Sequence, residues 1–140
     1  PRGTFFAGLF GIIDFPTNTI YYLNCGIPLM SMYINSYKNA IEIQGEGRVL
    51  GFVKNIEPFL KVRKITMHKG DTIVFTTDGL LEATNLKGDR FGSDRVGRIL
   101  QANNAATAPQ IARIIYNNLL DFILHKIDDD VTILVLKYNQ

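Results

Sequence analysis

The 140-residue chain is 46% hydrophobic and 20% charged, which suits a folded globular domain with a real core and excludes a disordered polymer. Its formal net charge of +2 comes from Lys and Arg scattered along the chain, so nothing in the charge pattern argues for a nucleic-acid partner. The single cysteine, Cys25, excludes an internal disulfide framework and suits a reducing compartment, and no apolar run is long enough to span a membrane. The expected location is therefore cytoplasmic, with a membrane tether left open for upstream segments of a longer parent. The chain starts at Pro1 rather than at a Met and enters a strand-like run almost at once, as an excised portion of a larger protein would.

Thr4 to Ile13 is apolar and aromatic, with Gly8 and Gly11 inside it, and reads as a strand buried on both faces. Asp14-Phe15-Pro16-Thr17-Asn18 is turn chemistry, and Thr19 to Asn24 supplies the partner strand of a hairpin. After Cys25-Gly26-Ile27-Pro28 a strand resumes over Leu29 to Ile34, followed by a polar turn at residues 35–39 and a strand over Ala40 to Ile43. Gln44 to Gly51 is a loop and Phe52 to Phe59 is irregular. Leu60 to Met67 sets Val62, Ile65 and Met67 against Lys61, Arg63 and Lys64, as a half-exposed strand would.

Thr72 to Thr77 is a short β-branched and aromatic strand bounded by glycines, and it delivers Asp78 and Gly79 at its end. Phe91-Gly92 is expected to pack back onto the body, and Ser93 to cap a helix carrying Val96, Ile99 and Leu100. Thr107-Ala108-Pro109-Gln110 is a capping-box pattern ahead of an apolar stripe formed by Ile111, Ile114, Ile115, Leu119, Phe122 and Ile123. Asp128-Asp129-Asp130 then lies directly against a last apolar strand, Val131 to Leu136. Charges do not enter such a strand cheaply, so these acids belong at its mouth. If this strand neighbours Thr72–Thr77, Asp78 and Asp129/Asp130 converge, and close carboxylates call for a shared proton or a hard divalent cation.

The run Gly70-Asp71 … Thr77-Asp78-Gly79-Leu80 … Glu82-Ala83 … Phe91-Gly92, followed by Asp129-Asp130-Val131-Thr132, resembles the bacterial SpoIIE/RsbU-type branch of the PP2C (PPM) metal-dependent serine/threonine phosphatases, over the later part of that domain. The element order gives an α+β fold with antiparallel sheets, and the resemblance implies the α-β-β-α sandwich of that family, incomplete at the N-terminus, with residues 1–140 forming a single portion of one domain. It implies Asp78 and Asp129 as metal ligands, Gly79 and Asp130 in supporting roles, and Asp128 as a solvated turn residue. It also implies two Mn²⁺ or Mg²⁺ ions in the complete domain, and hydrolysis of phosphoserine or phosphothreonine by water without a side-chain nucleophile or a bound organic cofactor. The expected substrate is a phosphoprotein of the anti-sigma-factor antagonist type, and the expected parent carries an upstream sensor.

Two departures stand out. The Asp and Asp-Gly that the family supplies from two earlier strands have no counterpart here, so this portion alone is expected to be weak or inactive. Cys25-Gly26-Ile27-Pro28 also stands where relatives often carry Ala-Gly-His-x-Pro. The competing expectation is a non-catalytic module that binds a partner or forms a homodimer. His68, His125 and Glu82 lack the spacing of metal ligands, and Cys25 reads as a small buried apolar residue.

Overall fold

A computed structural model describes residues 3–27, 29–44, 47–124, 127 and 129–139. Asp128, His125 and Pro28, each weighed above, lie outside the described residues. Two compact units emerge, one from Pro1–Pro28 with Gln44–Met67 and the other from Leu29–Ile43 with His68–Gln140.

The first unit holds a three-stranded antiparallel sheet. Strands β1 (Gly8–Asp14) and β2 (Thr19–Cys25) form the expected hairpin, and β5 (Val62–Thr66) pairs with the other side of β2. The hairpin turn is closed by the Thr17 hydroxyl donating to Asp14 Oδ2 at 2.6 Å, with Asn18 at φ 52°, a left-handed conformation that Asn tolerates. Register decides which face is wet. Phe10 lies opposite Leu23, which lies opposite Val62, and Ile12 lies opposite Tyr21.

On that face Phe10, Ile12 and Val62 are exposed, whereas Ile20 and Tyr22 of the opposite face are buried. The expectation of a first strand buried on both faces is therefore wrong: β1 is an edge strand, and its Phe10/Ile12 side stays exposed although the Phe6 ring lies 5.5 Å from that of Phe10. The alternation expected for Leu60 to Met67 holds at Ile65, Met67, Lys61 and Lys64 but fails at Val62 and Arg63. Val62 points outward at 73% exposure while Arg63 is half-buried, because pairing with β2 fixes register and overrides side-chain polarity.

The second unit is built on a four-stranded antiparallel sheet in the order β4 (Asn39–Gln44), β3 (Leu29–Ile34), β6 (Thr72–Thr76), β7 (Ile133–Lys137). Three helices accompany it: α1 (Asp78–Leu81), α2 (Gly92–Ala102) and α3 (Ala108–Ile123). Tyr33, Val74, Val135 and Ile133 share one sheet face and join Phe91, Val96, Leu100, Ile111, Ile115 and Leu119 in one apolar cluster. Each such side chain contributes roughly 1.5–3 kcal/mol by leaving water. The expected stripe on α3 is realised, with Ile111, Ile115, Leu119 and Ile123 buried and Ile114 and Phe122 packed beside them.

Helix α3 starts as its sequence dictates: Gln110 Oε1 accepts the Thr107 N–H at 2.8 Å, and a proline occupies the first turn. Helix α2 starts two residues earlier than a Ser93 cap would set it, with Phe91 at the cap position and Gly92 at φ 73°. Arg95 stabilises that entry. Its Nη1 donates to the carbonyls of Arg90 and Phe91 at 2.8 and 2.7 Å, and its guanidinium stacks 4.1 Å from the Phe122 ring. Phe91 itself is buried, as expected.

At the start of β6, Asp71 is 1% exposed and its carboxylate accepts the Asn35 N–H and the His68 N–H, both at 2.8 Å. Its main chain exchanges further bonds with the end of the chain: Tyr138 N–H donates to the Asp71 carbonyl, and Gly70 N–H donates to the Tyr138 carbonyl. A buried carboxylate persists here because it replaces its lost water with backbone donors.

Candidate functional site

Strands β6 and β7 are direct neighbours, with Val74 opposite Val135 and Thr76 opposite Ile133. The chain leaving β6 and the chain entering β7 therefore lie at one end of the sheet. The first carries Thr77, Asp78 and Gly79; the second carries Asp129 and Asp130.

Asp78 is the first residue of α1, a single helical turn that strand-and-turn reasoning does not anticipate. Its side chain is exposed, and Oδ1 accepts the Gly79 N–H at 3.1 Å. Asp129 and Asp130 are exposed as well, with Asp129 Oδ1 accepting the Asp130 N–H at 2.8 Å. Among the described residues no Lys or Arg forms an ion pair with any of the three carboxylates.

Gly79 is buried, and the reason for a glycine is spatial. A Cβ there would stand 2.3 Å from the Asp130 carbonyl oxygen, inside any tolerable contact. The chain of α1 and the acidic segment before β7 thus touch main chain to main chain. Thr77 completes the junction: its hydroxyl donates to the Asp130 carbonyl at 3.1 Å and accepts the Thr132 N–H at 3.0 Å, while its own N–H donates to the Thr132 carbonyl at 3.3 Å. Sequence reasoning gave Thr77 no role; the signal was its place as the last residue before the Asp.

Exposed carboxylate oxygens without a cationic side chain beside them form a donor set of the kind that hard divalent cations take. Among the described residues no three His, Cys, Asp or Glu side chains come together to complete such a site. The other titratable residues weighed from the sequence have surroundings of their own. Glu82 pairs with Arg90 at 3.1 Å on the surface. His68 is 78% exposed, its Nδ1 3.6 Å from the Asp71 carboxylate before β6. Cys25 is fully buried, and desolvation pushes its thiol above the usual range.

The fold has known counterparts. A family model described as Stage II sporulation protein E matches residues 1–139. The phosphatase domain of the cell fate determinant SpoIIE from Bacillus subtilis, in a form presoaked with Mn, superposes with a TM-score of 0.71 at 16% identity, covering 95% of this chain and 56% of that one. The RsbU and RsbW domains of a Mycobacterium tuberculosis protein give 0.74 at 21% identity, covering 94% of this chain and 35% of that one. The SiaA-PP2C domain of Pseudomonas aeruginosa gives 0.71 at 22% identity, covering 91% and 49%. This chain thus spans about half the length of the solved relatives it matches. No curated protein sequence matches it. The α+β architecture with two antiparallel sheets is that of the PP2C phosphatases. Among the described residues no helix is long and apolar enough to cross a membrane.

Proposed function

The chain belongs to the SpoIIE family, and from that premise we propose that it is the later part of a PP2C-type domain that hydrolyses phosphoserine or phosphothreonine on a regulatory protein. The observation that carries this reading is the junction of the two acidic segments, where Asp78 leaves β6 and Asp129 approaches β7 with their backbones in contact. Asp78 and Asp129 are the residues that would hold Mn²⁺ or Mg²⁺, with Asp130 and Gly79 in support. A divalent cation at such a site supplies Lewis acidity toward water and toward the phosphoryl oxygens.

The chain's own part is to keep the two carboxylates at one sheet end. The remaining ligands come, in this reading, from a segment of the parent outside this chain, so these 140 residues alone turn over weakly or not at all. An anti-sigma-factor antagonist is the proposed substrate and the cytoplasm the proposed location. A second reading, a non-catalytic module that binds a partner or a second copy, is favoured by one observation: the exposed apolar row of Phe10, Ile12 and Val62.

The test is Asp78→Asn in the parent protein, assayed on a phosphoserine peptide with Mn²⁺. The substitution should abolish most turnover while leaving the melting temperature within a few degrees. Full turnover by the variant, or turnover in excess chelator, would sink the phosphatase assignment. An inactive parent that nonetheless self-associates through the β1 face would establish the second reading.

A further inference from the structure

Thr77 occupies the N-cap position of α1, where a threonine ordinarily turns its oxygen onto the N–H groups of the first helical turn. Here it makes no such bond. Its hydroxyl is turned across to the neighbouring chain, where it donates to the Asp130 carbonyl at 3.1 Å and accepts from the Thr132 N–H at 3.0 Å. Both capacities of one hydroxyl are thus spent on the segment that carries the acids, at the expense of its own helix.

The Asp130 carbonyl is gripped from two directions, by this hydroxyl and by the bare Cα of Gly79, where a Cβ would meet it at 2.3 Å. Asp78 follows Thr77 directly, and Asp129 precedes the gripped peptide directly. Any shift of one segment past the other must break the Thr77 bonds.

We infer that Thr77 is a positioning residue: its hydroxyl latches the Asp129–Asp130 segment to the turn carrying Asp78, and so sets the spacing of the carboxylates for a divalent cation. The inference deepens the phosphatase reading and rests on it for the identity of the ligand, but the latch itself is made by residues of this chain alone. Groups that orient metal ligands from outside the coordination shell typically change affinity by about 10–100-fold when removed.

Two substitutions separate the latch from bulk. Thr77→Val keeps the shape and removes both hydrogen-bonding functions; Thr77→Ser keeps the hydroxyl. Two measurements are made on the parent protein: amide hydrogen exchange at Thr132 without metal, and Mn²⁺ affinity by calorimetry. In Thr77→Val the Thr132 amide should exchange faster and the Mn²⁺ affinity should fall about 10-fold or more, with the serine variant restoring both.

A valine variant with an unchanged Thr132 amide and unchanged Mn²⁺ affinity would overturn the proposal, as would a serine variant as impaired as the valine. If the unsubstituted protein binds no Mn²⁺, the metal reading falls. The exchange at Thr132 then decides the latch alone, faster exchange in the valine variant supporting it and unchanged exchange overturning it.

Discussion

In the four-stranded sheet Val74 is buried and Val135 partly buried in one cluster with α2 and α3 side chains, whereas in the three-stranded sheet Phe10, Ile12 and Val62 stand in water at 53%, 72% and 73% exposure. Both sheets present rows of apolar residues, and both are antiparallel. What separates them is a covering layer: the second unit brings its own in α2 and α3, and the first leaves that face exposed. Apolar composition thus marks a surface that can be buried, while the neighbouring elements decide whether it is.

That contrast can be broken by substitution. The largest effect is expected in the helix-covered unit: Phe91→Ala, which empties a buried site beside Phe122 and Arg95, should cost about 3–5 kcal/mol in urea denaturation. A loss below about 1 kcal/mol would mean that this cluster is not the stabilising core.

A smaller, pH-dependent effect belongs to Cys25 in the first unit. Burial raises its thiol in the folded chain, so the neutral form is favoured there. Its contribution is fully present below the unfolded thiol value of about 8.5 and declines as pH rises through that value toward the folded one. Cys25→Ala should therefore flatten the alkaline decline of stability between about pH 8 and 10. An unaltered slope would mean that burial of this thiol is not what the folded state defends.

The smallest effect sharpens the comparison from the other side. Ile12→Thr on the uncovered face should change stability by no more than about 0.5 kcal/mol, while reducing any self-association seen by sedimentation. A loss comparable to that of Phe91→Ala would show that Ile12 is buried in solution and that the face has an occupant.

Much of the fold is legible in the residues themselves. The hairpin over Gly8–Cys25 follows from Asp14-Phe15-Pro16-Thr17-Asn18, and α3 follows from Thr107, Gln110 and the stripe from Ile111 to Ile123. Local chemistry specifies those elements. Errors arise where non-local pairing decides. Val62 faces out and Arg63 inward because β5 takes its register from β2, and β1 is wet because its cover depends on elements that composition does not reveal.

The candidate site divides the same way. Carboxylates pressed against apolar strands mark its position, and the pairing of β6 with β7 bears out the expected adjacency of those strands. Thr77 escaped because a hydroxyl's partner, unlike a charge's cost, is not written in its neighbours. The single turn of α1 escaped because four residues are too few to show a period.

Asp71 and Thr77 stand at opposite ends of β6, and each reaches out of its own strand to hold the backbone of another segment, Asn35 and His68 in one case, Asp130 and Thr132 in the other. Strand β6 is consequently a segment of fixed count. Inserting or deleting one residue between these anchors would force one of them off its partners or turn Val74 and Thr76 to the other side of the sheet. Substitution can be absorbed within the strand; a change of length cannot.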